Sequence, residues 1–431
     1  MLTDIVDRVR ALVGRAGGRV ARDAPLEEYC DRLLSPESGS VKQRLAEEVL
    51  ARFAAADDDG KRAFLTLLAT RYDADPERLA AAIARYQAEQ DAAARAELHA
   101  VSEPRRQQIF RMLNQAPGGT ARLVAMRRDA LRLAPGIPGF AALDGDFAHL
   151  FASWFNGGFL TLRQLDWSTS GAVLAKLMEY EAVHAIESWD ALRARVEPDD
   201  RRCYAFFHPQ MEDEPLIFVE VALVDRMPSG IAEILRLDRP RIAAREASSA
   251  IFYSISNCQA GLRGIPFGGP LIKQVVDRLR AELPALRHTM TLSPMPGFAR
   301  WLAGAAPNLA ERLAVPGGDE DSALEAPLVK LAARYLLTAK ARAADPVARF
   351  HLGNGARVER LVGRGDVSAK GLRESHGMMV SYLYDPAHID ANYRAYAEHR
   401  TIAASSAVSR LARDDEGPVA LPRRAARWAG F

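Results

Sequence analysis

The 431-residue chain is short of several things, and each shortage narrows the field. Its three cysteines, Cys30, Cys203 and Cys258, stand far apart, form no C-x-x-C pair and leave one over if two were bridged. A disulfide framework is therefore excluded and a reducing compartment is expected. No stretch approaches the roughly 20 apolar residues that a membrane span requires. The opening MLTDIVDRVRALVGRAGG is broken by charge every few residues, so it reads as an amphipathic helix behind a Thr3-Asp4 cap and not as a signal peptide. Neither sign of charge is in excess: 57 basic against 55 acidic residues leave +2, which gives no support for a nucleic-acid scaffold or a polybasic membrane anchor. None of the nine histidines sits in H-E-x-x-H or beside a C-x-x-C, so no metal site is expected. No repeat with a period of 20 to 50 residues is present, and solenoids drop out with it.

What remains is an ordinary globular composition, 48% hydrophobic and 26% charged, in a chain too long for one core. Two domains are expected. From Asp4 to about Leu133, apolar residues recur at three- and four-residue spacing, as in VKQRLAEEVLARFAAA and PERLAAAIARYQAEQ, which predicts a helical bundle. The cluster APGIPGF breaks that run, and two or three more helices are expected between Phe147 and about Leu192. The boundary is placed at 155, giving a helical domain over 1–155 and a second domain over 156–431.

After Pro198 the texture changes. CYAFFHP and PLIFVEVALV read as a β-hairpin, SSAIFYSISN as a strand, GPLIKQVVDRLRAEL as a helix, HTMTLSP and GMMVSYLY as further strands, with helices after PGFARW and over about Ser322 to Arg342. Alternation of this kind predicts a mixed sheet covered by helices, so the whole is an α+β two-domain protein. The tail after about Arg413 is polar and expected to fray.

The most informative stretch runs from strand to helix through QAGLRGIPFGG. Glycines at 261, 264, 268 and 269 permit a tight turn that aims several backbone N–H groups and a helix N-terminus at one point, a cradle for an anion. Arg263 and Lys273 could add charge to a phosphate held there. Taken alone, the same glycines are equally explained by the demands of a loop, and the spacing does not fit a Walker-type triphosphate loop.

Several long blocks carry a resemblance. HPQMEDEPLIFVEVAL, AIFYSISNCQAGLRGIPFGGPLIKQVV, TLSPMPGFARWL, PVARFHLGNGARVERL and GDVSAKGLRESHGMMVSYLY follow one another as they do in the malonyl-CoA decarboxylase family, most clearly between Tyr180 and Tyr384. The resemblance implies an oligomerising helical N-terminal domain and an acetyltransferase-like (GNAT-like) catalytic domain. It implies a coenzyme A loop over Arg263, Gly264, Ile265, Pro266, Phe267, Gly268 and Gly269, a catalytic Ser293 and His351, and supporting Ser254 and Tyr384. Pro266 stands where some members carry Glu, and the chain ends in WAGF without the peroxisomal tripeptide of some members, so a bacterial cytoplasmic form is expected.

The chemistry asks for such groups independently. Carbon dioxide leaving malonyl-CoA puts charge on a carbon that the thioester carbonyl can delocalise, so no cofactor is expected. The protein must supply a donor for the developing oxyanion, a dry pocket and an acid for the carbon. On this reading Ser293 holds the carboxylate or thioester oxygen, and His351, a residue that ordinarily titrates near neutrality, protonates the carbanion. An acyl-CoA-dependent acyltransferase on the same fold is the alternative. His208 and His376 are competing histidines. Asp366 and Ser368 are explained as well by a helix cap, and Tyr253 by packing.

Overall fold

The computed structural model describes residues 24–266, 269–313, 320–337 and 345–413. The expected first helix at Asp4 and the tail beyond Arg413 lie outside the described residues. Contacts divide the chain into two compact units. The first comprises Met1–Thr161, the hairpin tip His208–Glu214 and the loop Gln259–Phe267; the second holds the remainder.

The first unit is helical, from Leu26–Leu34 to Phe140–Trp154. Local chemistry sets the starts: Asp57, Asp75 and Asp91 each accept hydrogen bonds from the free N–H groups of the following turn, and Pro76 stands where a missing N–H costs nothing. Its core is aromatic, with Phe110 stacked on Phe147 at 4.1 Å and Phe151 against Phe155. The hairpin of helices Pro76–Glu89 and Ala92–Ser102 is different: only Ala82 and Ala94 of its residues are buried.

The second unit is built on an eight-stranded sheet of β1 (Thr161–Leu165), β2 (Arg201–His208), β3 (Met211–Val224), β4 (Ser249–Asn257), β5 (His288–Thr291), β6 (Ser293–Pro294), β7 (Arg357–Val362) and β8 (Met379–Leu383). The order is β1-β2-β3-β4-β5-β8-β6, and β7 also pairs with β8. β4 and β5 run parallel, while β3–β4, β5–β8, β6–β8 and β7–β8 are antiparallel. The central strands are buried along nearly their whole length, which is why they read as continuous apolar runs. A helical bundle followed by a mixed sheet is the expected fold class.

Two strands depart from the expectation. β1 falls in a region read as wholly helical, and β7 was not anticipated. TLRQL is an edge strand with one buried residue in five, so it lacks the apolar alternation that marks a strand. RVERLV buries Val358, Leu361 and Val362 but is interrupted by charged residues and a bulge between Val358 and Arg360.

Candidate active site

β4 and β5 pair only over Ser249–Phe252 and His288–Thr291. Two local events then separate them. On β4 the register with β3 passes from Val221↔Phe252 to Glu220↔Ser254, leaving Tyr253 as the extra residue of a bulge that bends the strand. On the other side the chain breaks at Leu292 and re-pairs as β6, with Ser293 opposite Val380 of β8. A cavity of about 300 Å³ lies between the diverging strands. Phe252, Ser254, Ser293, Val347, Phe350 and His351 are among its walls, and no residue lining it among those described carries a positive charge.

His351 reaches this cavity from the helix Pro346–Leu352. The helix starts where it does because Asp345 caps it, accepting from the N–H groups of Val347 and Ala348 at 3.0 Å each, with Pro346 in the first position. The same buried carboxylate also accepts from the Tyr335 hydroxyl at 3.0 Å and the Gly297 N–H at 3.3 Å, fixing the helix to its surroundings. His351 Nε2 stands 3.2 Å from Ser293 Oγ, and its Nδ1 stands 2.8 Å from the Tyr384 hydroxyl. Tyr382 stacks on the imidazole with centroids 4.6 Å apart. Ser293 Oγ donates to Thr291 Oγ1 at 2.9 Å, which also accepts the Tyr382 N–H at 3.1 Å. One arrangement fits these contacts: Tyr384 donates to Nδ1, Nε2–H donates to Ser293, and Ser293 donates to Thr291.

Electrostatics correct one expectation. His351 is 3% exposed, and burial pushes its pKa down to about 3, so the imidazole is neutral at pH 7 and does not titrate near neutrality. Burial likewise holds the Tyr384 phenol well above its usual range, so it keeps its proton. His184, also buried, is pushed down to about 4. Unfolding would return both imidazoles to about 6.5. Their stabilising contribution is therefore full above pH 6.5 and is lost as pH falls toward 3 to 4. Thermal melting of His351→Gln should fall less steeply than that of the unaltered protein between pH 7 and 4.5. Parallel curves would contradict a neutral buried imidazole.

Ser254 lines the same cavity but is turned the other way. Its hydroxyl donates to Glu181, 2.8 and 2.7 Å from the two carboxylate oxygens. Glu181 also accepts from Ser256 Oγ at 3.2 Å and from the N–H groups of Val183 and His184 at 2.8 Å. The sequence reading did not single out Glu181, Thr291 or Asp345. Only Asp345 had a local signal, an Asp-Pro pair opening a helix.

The glycine-rich loop is described as far as Pro266; Phe267 and Gly268 lie outside the described residues, and Gly269 opens the helix Gly269–Glu282. Within the first unit, Arg127 on the helix Gly119–Leu133 holds this loop. Its Nη1 donates to the carbonyls of Gly261 at 2.7 Å and Arg263 at 3.0 Å, while Asp144 pairs with its Nε at 2.7 Å. A Cβ on Gly261 would lie 1.9 Å from the Val124 carbonyl oxygen, so close approach demands glycine there. Gly264 has φ +84°, a conformation that favours glycine for backbone reasons. The Arg263 side chain, Gly264, Pro266 and Lys273 are exposed and Ile265 is buried.

The competing residues have structural occupations. His208 belongs to the first unit, where its Nε2 lies 3.2 Å from the Trp154 carbonyl and its ring packs on Phe155. His376 is the left-handed residue ending the helix Ala369–Ser375, whose start is capped by Ser368. Asp366 accepts the Ser368 N–H. Tyr253 is buried on β4. Among the described residues, no three His, Cys, Asp or Glu side chains are grouped to hold a metal ion.

Comparison with known proteins follows the same division. Residues 72–155 match the family described as malonyl-CoA decarboxylase N-terminal domain, and residues 158–421 match its C-terminal domain. The chain is similar to the crystal structure of malonyl-CoA decarboxylase from Rhodopseudomonas palustris, with 48% identity, a TM-score of 0.85, and coverage of 89% of this chain and 98% of that one. The enzyme from Agrobacterium vitis gives 46% identity, a TM-score of 0.85, and coverage of 90% and 99%. The mitochondrial malonyl-CoA decarboxylase of Anser anser anser is 36% identical over 349 residues, 71% of this chain and 69% of the relative.

Proposed function

The chain belongs to the malonyl-CoA decarboxylase family, and from that premise we propose that it converts malonyl-CoA to acetyl-CoA and carbon dioxide with Ser293 and His351 at the reacting end of the substrate. The observation that carries the assignment of roles is the 3.2 Å contact between Ser293 Oγ and His351 Nε2 on the wall of one largely apolar cavity. The substrate carboxylate enters a space in which no described lining residue carries a fixed positive charge to hold it as an anion. Losing water there favours the step that disperses its charge. The bond between the carboxyl carbon and the α-carbon breaks, its electron pair moves into the thioester to give an enolate, and carbon dioxide leaves. Ser293 and the Nε2–H of His351 meet the malonyl carboxylate as it binds and pass to the thioester oxygen as charge develops there. The Nε2–H passes to the α-carbon of the enolate, and the solvent proton that replaces it enters at Nδ1, where the Tyr384 hydroxyl turns from donor to acceptor. Tyr384 keeps the ring oriented through Nδ1. The thioester is the electron sink, and the reaction uses no separate cofactor. The loop from Arg263 to Gly269 receives the phosphates of the coenzyme, with Arg127 as its anchor.

Turnover in deuterium oxide tests this route: acetyl-CoA formed through a protonated enolate gains one deuterium in its methyl group. Product without solvent deuterium would rule the enolate out.

The family reading extends to assembly and place. A homo-oligomer forms through the helical first unit, and the support is the hairpin Pro76–Glu89 and Ala92–Ser102, where Ile83 stands 41% exposed. Ile83→Asp should lower the mass measured by light scattering; an unchanged mass would remove this hairpin from the interface. A bacterial cytoplasmic enzyme is the reading supported by the solved bacterial relatives and by the buried thiols Cys30 and Cys203.

A further inference from the structure

The cavity has two serines of opposite polarity, and the difference is made by a carboxylate behind one of them. Ser254 has a single hydroxyl proton, and that proton is committed to Glu181 at 2.7 to 2.8 Å. What Ser254 turns toward the cavity is therefore oxygen lone pairs backed by a negative charge. Glu181 is held by neutral donors only: Ser254, Ser256 and the N–H groups of Val183 and His184. It forms no ion pair among the described residues. Arg195, the nearby buried cation, pairs with Glu220 at 3.0 Å instead. Ser293 differs in what stands behind it: its partners are the Thr291 hydroxyl and the His351 imidazole, and no carboxylate among the described residues takes its proton.

We propose that Glu181 is a positioning residue that orients the substrate: by holding the Ser254 proton it makes that wall repel the malonyl carboxylate, which leaves the Ser293 and His351 wall as the place where it can be received. The inference rests on the decarboxylase reading and adds to it a determinant of substrate orientation. A carboxylate bound at Ser254 would lie away from the proton donor and would not react, so the Glu181–Ser254 pair suppresses a non-productive complex. Removing the charge while keeping the shape should release it. In Glu181→Gln the side-chain amide can donate to Ser254 Oγ, and the freed serine proton then points into the cavity as a new donor for carboxylate.

Non-productive binding has a kinetic signature that simple structural damage lacks: kcat and KM fall by the same factor and kcat/KM is unchanged. For Glu181→Gln the expected result is a fall of about tenfold in both, the change that about 1.4 kcal/mol of added non-productive binding produces. Inhibition by acetyl-CoA, which has no carboxylate, should stay as it was. Adding Ser254→Ala to Glu181→Gln removes the misplaced donor and should bring kcat and KM back toward their starting values. A lower kcat/KM without recovery in the double variant, or a Glu181→Gln enzyme with kcat and KM unmoved, overturns the proposal. Should the variant not fold, a structure of the unaltered enzyme with a malonyl thioether that cannot decarboxylate decides the matter. Its carboxylate is expected against Ser293 and His351, and a carboxylate hydrogen-bonded to Ser254 overturns the idea. If the unaltered enzyme releases no carbon dioxide from malonyl-CoA, it is the decarboxylase reading itself that fails, and that failure is visible before any variant is made.

Discussion

Ser293→Ala and His351→Gln each lower kcat with malonyl-CoA by about 10²- to 10³-fold, the loss typical of one donor to a developing oxyanion, while the dissociation constant for coenzyme A changes little. The magnitude follows from where these groups act. Their contribution is greatest when charge moves onto the thioester oxygen, so their removal raises the barrier more than it weakens the ground-state complex. The two losses should not add. With Nε2 and Oγ 3.2 Å apart, each side chain fixes the other's hydrogen, and the double variant should be little slower than the worse single one. Tyr384→Phe removes only the partner of Nδ1 and should cost less than either. Rapid-quench turnover beside coenzyme A titration separates the two parameters. Full kcat in both single variants would remove this pair from the chemistry.

Arg127→Ala has the second large effect, and on a different parameter. The guanidinium is 3% exposed and satisfies two loop carbonyls besides Asp144. Truncation leaves buried acceptors without a donor, a loss of about 3 kcal/mol, at the low end for a broken buried pair because Asp144 keeps some contact with water. It also unpins Gly261 and Arg263. Ordering two freed residues again on binding costs roughly 1 to 2 kcal/mol each, so coenzyme A affinity should fall at least about tenfold. kcat at saturating substrate should change far less. Calorimetric titration with coenzyme A checks this, and an affinity unchanged in a folded Arg127→Ala protein would contradict a phosphate-binding role for the loop.

These outcomes depend on features of unequal visibility in the chain. Strands buried on both faces, such as PLIFVEVALV and AIFYSIS, announce themselves because every side chain must be apolar or locally satisfied. The edge strand TLRQL does not, since its residues answer to water more than to a core. In the loop before the helix Gly269–Glu282 the need for glycine was legible at Gly264, whose φ of +84° is a property of the local backbone, and not at Gly261, which is glycine because Val124 approaches it from far along the chain. The candidate pair at the cavity was not legible by spacing. Ser293 and His351 are 58 residues apart, and only their place in a recognisable succession of blocks singled them out from eight other histidines and many serines. Glu181 is harder still, 73 residues from the serine it holds and in a segment with no regular structure. Its contact with Ser254 joins the residue that ends the helix Gly171–Tyr180 to β4, a pairing that no local pattern announces. The pKa of His351 was misjudged for a related reason: a side chain's titration depends on what surrounds it in space, and the sequence near PVARFHL says nothing of the depth of burial.

The most direct test is a stoichiometric assay of purified protein with malonyl-CoA as the sole substrate, a chelator present and no acyl acceptor. One carbon dioxide for each acetyl-CoA, with every malonyl-CoA consumed accounted for, is the predicted result. Consumption only after an acceptor is added, with the malonyl group transferred intact, would contradict the account and identify a transferase.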